Sequence, residues 1–105
     1  MKNLADQMNK IINVLPSAFG SIVKMSVFGD YLIILTLVSD GNEWEYGNNI
    51  FILNQTFVLV SEKYISTIDG ESINDVVEFS EQEHSFIVGI IIDGNKVEHT
   101  FKKSS

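Results

Sequence analysis

The 105-residue chain has no Cys, no Arg and a single Pro. Lack of Cys excludes a disulfide framework, a thiolate metal site and a cysteine nucleophile. Lack of Arg leaves seven lysines to face fourteen acids, a formal charge of −7. Proteins that neutralise nucleic-acid phosphates cluster Lys and Arg, so direct binding to DNA or RNA is disfavoured, and the same negative field repels an anionic membrane. Long apolar runs are missing too. Tyr31 to Val38 and Phe86 to Ile92 are the longest, strand-sized against the roughly 20 residues of a membrane-spanning helix. Met1 to Leu15 is interrupted by Asn3, Asp6, Gln7, Asn9 and Asn13 and so lacks the apolar core of a signal peptide. These absences predict a soluble, cytoplasmic protein.

Catalytic constellations are equally sparse. His84 and His99 stand alone, without the H-x-x-x-H spacing that lets two imidazoles share a metal. The pairs Glu43/Glu45 and Glu81/Glu83 lie two residues apart, which on a strand means one shared wet face. No Gly-rich loop leads from a strand into a helix, and no Ser sits in G-x-S-x-G. The expectation is a protein that is not an enzyme and holds no cofactor or metal.

Apolar residues are nevertheless plentiful, at 45% of the chain, enough for one ordinary domain spanning residues 1–105. Leu4, Met8, Ile11, Ile12 and Leu15 recur with helical spacing, predicting one amphipathic helix capped at Asn3 and ended by Pro16. From Val23 onward the period changes to alternation. Val23, Met25 and Val27 outline a strand with one wet face, and Tyr31–Val38 reads as a central strand covered on both faces. Asp40-Gly41 signals a hairpin into a strand with Trp44 and Tyr46, after which Gly47, Asn48 and Asn49 predict a turn. Ile50–Leu53 and Phe57–Val60 suit either a second hairpin or one bulged strand, and Tyr64–Ile68 continues the sheet. Ser72–Phe79 is ambiguous between helix and strand, with a strand favoured over Val76–Ser80. His84–Ile92 is again apolar on both faces, with Gly89 marking a bulge or a close backbone approach, and Asp93-Gly94 turns it into Lys96–Phe101. The predicted class is α+β: an N-terminal amphipathic helix followed by a mostly antiparallel sheet of six to seven strands, curled into a half-barrel or sandwich. One helix cannot cover both faces of such a sheet, which favours self-association or complex formation.

Charge is unevenly placed. Between Tyr64 and Asn95 there is no Lys, whereas Asp69, Glu71, Asp75, Glu78, Glu81, Glu83 and Asp93 supply seven acids. The other seven acids balance the seven lysines. Asp69, Glu71, Asp75, Glu78, Glu81 and Glu83 are therefore the candidate surface for a basic protein, with Trp44, Tyr46 and Tyr64 as aromatic anchors. The leading expectation is an immunity-type inhibitor that covers the basic active-site surface of a cognate nuclease toxin. Alternatives are a nucleic-acid mimic that occupies a host defence enzyme, a homodimeric structural or adaptor subunit, and a small-molecule half-barrel lined by Trp44, Phe51 and Phe57.

Overall fold

The computed structural model describes residues 4–17, 19–39, 46–67 and 73–103. A 3₁₀ turn, Leu4–Gln7, leads into helix α1, Met8–Val14. Seven strands follow among the described residues: β1 Ser21–Phe28, β2 Tyr31–Ser39, β3 Tyr46–Leu53, β4 Leu59–Thr67, β5 Ile73–Glu81, β6 Ser85–Ile92 and β7 Asn95–Lys102. They form two antiparallel meanders, β1-β2-β3-β4 and β5-β6-β7. The single sheet expected from sequence is therefore two sheets packed face to face, and no barrel closes. No helix of the described residues is long and apolar enough to cross a membrane.

The doubly apolar pattern of β2 has a direct cause. Ile33 and Leu35 point from β2 towards the three-stranded sheet, joining Ile50, Ile52 and Ile65 against Ile73, Val76, Phe86, Val88, Ile90 and Phe101. Leu32 and Ile34 point the other way, joining Phe51 and Leu53 beneath Ile11 and Leu15 of the helical segment. The order of layers is helix, four-stranded sheet, three-stranded sheet. Among the described residues only the middle layer is covered on both faces. The outer face of β6 consequently leaves Ile87 and Ile91 half-buried rather than sealed.

Several local expectations change in the folded chain. The predicted helix splits into a 3₁₀ turn and two turns of α-helix. Gln7 occupies the N-cap without a side-chain bond, and the predicted cap Asn3 lies outside the described residues. Gly47, Asn48 and Asn49 are not a turn but part of β3. Asn48 is 1% exposed, and its amide donates to Thr36 O at 3.0 Å while its Oδ1 accepts from Ile73 N at 3.3 Å. Those bonds give a turn-forming side chain a reason to stay in a buried strand, because its polar atoms find partners on two other strands. Of the ambiguous Ser72–Phe79 region, Ser72 lies outside the described residues and the rest is strand, β5, longer than expected and with bulges at Ile73/Asp75 and Val76/Glu78. The Asp93-Gly94 turn takes φ of 53° and 79° at those two residues, the left-handed pair a tight hairpin demands.

The β3–β4 hairpin is organised by Asn54. Its Oδ1 accepts from Thr56 N, Thr56 Oγ1 and Val58 N at 3.0, 2.8 and 3.1 Å. That arrangement holds Phe57 at φ 61° with its side chain packed on the helix-side cluster. Another polar group pins the two sheets together: Ser61 Oγ donates to Lys102 O at 2.6 Å.

Candidate functional site

The acidic stretch that is free of lysine in sequence is not free of lysine in space. Asp75 on β5 meets Lys24 of β1 at 2.6 Å, Glu78 meets Lys96 of β7 at 2.8 Å, and Glu81 meets Lys103 at 2.8 Å. Glu81 also accepts a 2.6 Å bond from the Tyr31 hydroxyl. Lys24 holds the Asp75 carboxyl below its usual range, and Lys103 followed by Tyr31 does the same for Glu81. The Glu81 carboxylate in turn pushes the Tyr31 phenol up to about 12, and Glu78 raises Lys96. Nor do these acids share one face. Glu78 lies opposite Gly89 on the outer face, whereas Glu81 lies opposite Phe86, whose ring is in the core. Their side chains remain substantially exposed, so each pair contributes little to stability, and of the three only Lys24–Asp75 joins one sheet to the other.

Glu83 stands at a highly exposed position, 3.6 Å from the His84 ring. Trp44, Asp69 and Glu71 lie outside the described residues, as does the side chain of Tyr46. Tyr64 is described and is 54% exposed. Among the described residues no group of three or more His, Asp and Glu side chains converges to hold a metal ion.

Two shallow depressions stand out among the described residues. One, of about 380 Å³, lies on the outer face of the three-stranded sheet and is lined by Phe28, Val77, Glu78, Phe79, Gly89 and Glu98 with their neighbours. Gly89 forms its notch, because a Cβ there would come within 3.0 Å of Glu78 Cβ. Its Glu78 carboxylate is already held by Lys96.

The second, of about 360 Å³, is lined by Pro16, Asn49, Phe51, Glu62, Lys63 and Tyr64. The register places Asn49 opposite Tyr64 and Phe51 opposite Glu62, so four side chains share the helix-side face of the β3–β4 edge. Phe51 is buried beneath the helix and Pro16 follows the helix end, giving apolar walls. Tyr64 folds its hydroxyl over Gly47, where any β-carbon would collide with the ring. Lys63 contributes to the rim, but its ammonium leaves for the opposite face, where it donates to Thr100 O at 3.3 Å and lies 5.7 Å from the Phe101 ring centroid. Glu62 is consequently the one charge presented to this depression by its lining residues. Sequence reading had named Tyr64 but missed Glu62 and Asn49. The signal available was the i,i+2 spacing of Glu62 and Tyr64, which on any strand puts both on one face.

Lys63 also approaches His99 Nδ1 at 3.4 Å. Burial, and then the Lys63 charge, hold the His99 imidazole below its ordinary value of 6.5. The unfolded chain therefore binds this proton more readily than the folded one. Stability from this group is complete above pH 6.5 and is lost as pH falls from there through the lower folded value. In urea titrations, His99→Gln is expected to flatten the pH dependence of the midpoint just below pH 6.5; an unchanged slope there would refute the assignment.

Comparison with protein-family models, with curated proteins and with solved structures gives no match.

Proposed function

We propose that the protein is a small, non-catalytic inhibitor of immunity type that binds a basic protein, a nuclease-type toxin, and covers its cationic surface. The observation that carries this reading is the exposed Tyr64 beside Glu62, an acid without an ion pair among the described residues, in an open depression with an apolar floor. A half-exposed aromatic residue next to an unpaired carboxylate is the composition of an interface anchor for a cationic partner. The distribution of lysines supports it. Lys24, Lys96 and Lys103 are each paired one-to-one with an acid of this same chain, and the excess of acids over lysines, a formal charge of −7, leaves the overall field acidic. Negative charge of that kind steers a basic protein into contact and speeds association more than it adds affinity.

The reading predicts that an adjacent reading frame encodes a protein toxic when expressed alone, and that coexpression of this chain relieves the toxicity. It also predicts that the complex associates more slowly as salt is raised. If no neighbouring product is toxic, or if toxicity persists on coexpression, the reading fails. A second reading, a homodimer, draws on Val77, 39% exposed, and the half-buried Ile87 and Ile91 on the uncovered face of the three-stranded sheet. A molar mass twice that of the chain in light scattering would favour it.

A further inference from the structure

We infer that the depression between Pro16, Asn49, Phe51, Glu62 and Tyr64 is a receptor for a single arginine side chain projecting from the basic partner. This inference rests on the reading of the protein as a binder of a basic protein and names the group that binds at that site. Its volume, about 360 Å³, lies at the small end of the range of ligand pockets, about 300–1,000 Å³, and suits one long side chain rather than an extended ligand.

The chemistry of the lining selects the occupant. Glu62 offers a carboxylate that no lysine of the described residues meets, and Asn49 offers a half-buried amide with no hydrogen bond to another described residue. Tyr64 offers an exposed ring, and Phe51 with Pro16 offers apolar walls. A guanidinium answers each of these: its planar fork donates to a carboxylate and an amide oxygen together, its face stacks on an aromatic ring, and its methylene stem lies along apolar surface. An ammonium supplies the charge without the flat face or the fork. An anionic occupant would meet Glu62 at close range, and the one cationic residue of the lining, Lys63, directs its ammonium away to Thr100 O on the other face.

Gly47 is a positioning residue in this scheme. It lets the Tyr64 ring come down over β3, and any side chain at position 47 evicts that ring. Gly47→Ala therefore removes the stacking surface while touching no ligand-binding atom itself.

The test uses Nα-acetyl-arginine amide as probe at low salt, followed by two-dimensional amide NMR of the intact chain. Saturable shifts confined to Asn49, Glu62 and Tyr64 are expected, with a dissociation constant on the order of millimolar, as befits one side chain. Nα-acetyl-citrulline amide, which keeps the shape and loses the charge, is expected to bind at least fivefold more weakly, as is the arginine probe to Glu62→Gln. Gly47→Ala should weaken binding, with its spectral differences from the parent confined to the residues around Tyr64 on β3 and β4. Equal binding of the lysine amide would overturn the assignment to a guanidinium. Shifts spread equally over Glu83 and Glu98 would reduce the effect to general charge attraction and overturn the site. If the probe does not bind yet a neighbouring toxin is still neutralised, the pocket is refuted and the inhibitor reading stands. If the probe binds as described and no toxin is neutralised, the pocket stands and the inhibitor reading falls.

Discussion

Phe86→Ala is expected to destabilise the protein by about 3–5 kcal/mol, the range for removing a large buried aromatic side chain without collapse of the cavity left behind. Phe86 is 1% exposed and sits where several elements meet. Its ring contacts Tyr31 edge-on with centroids 5.1 Å apart, stacks on Phe79 at 5.4 Å, and lies 5.1 Å beneath the Lys103 ammonium. Phe79 in turn stacks on Phe28 at 5.9 Å, so the aromatic group ties the β1–β2 turn to β5 and β6. A domain of ordinary size has about 5–15 kcal/mol of stability in total, so this truncation removes a large share of it. Urea unfolding should show a lowered midpoint with an unchanged slope. A loss below about 1 kcal/mol would mean that the aromatic group does not join the two sheets as described, because typical surface substitutions fall in that range.

Asn48→Leu is expected to lose about 2–4 kcal/mol, and Asn49→Leu, one residue later, less than about 0.5 kcal/mol. The contrast isolates what each amide does. Asn48 is buried and bonded to Thr36 O and Ile73 N, one in the four-stranded sheet and one in the three-stranded sheet. Leu keeps its branching but leaves the Ile73 N–H with its partner removed in a place water reaches poorly. Asn49 lies on the opposite face, half-buried at the arginine depression, with no such bond to lose. Equal stability changes at the two positions, measured by urea unfolding, would contradict this division. Asn49→Leu is also expected to weaken the arginine probe, so the same variant separates binding from folding.

Asn48 also marks the limit of local reading. Gly-Asn-Asn has strong turn chemistry, and nothing within a few residues reveals that Thr36 and Ile73, distant in sequence, will satisfy the amide. Elsewhere local chemistry sufficed. The spacing of Leu4, Met8, Ile11, Ile12 and Leu15 marked a face that packs on the four-stranded sheet except at Ile12, which is exposed. The two-sided apolarity of Tyr31–Val38 marked the strand at the centre of the layers. Asp93-Gly94 marked a hairpin whose φ values are positive at both residues. Each of these signals is a period or a steric preference carried by neighbouring residues.

The candidate site was legible only in part. Tyr64 was named as an aromatic anchor, and it is exposed beside a depression. Asp75, Glu78 and Glu81 were named as acids facing a basic partner, and each is met by a lysine from a remote part of the chain. Counting charges along the sequence could not anticipate that, because sheet packing places Lys24 beside a residue 51 positions away. Glu62 was counted among the balanced acids, yet it has no ion pair among the described residues.

By itself, then, the sequence determined the net charge, the alternation of the strands, the amphipathic helical segment and the lack of recognisable catalytic or metal-ligand motifs. Those properties reside in residue identity and short-range spacing. Only the tertiary structure decided that seven strands divide into two facing sheets, which acids are neutralised and which carboxylate is left beside an exposed tyrosine. Cross-strand register and sheet packing join residues far apart in the chain, and no local pattern specifies which lysine will reach which acid.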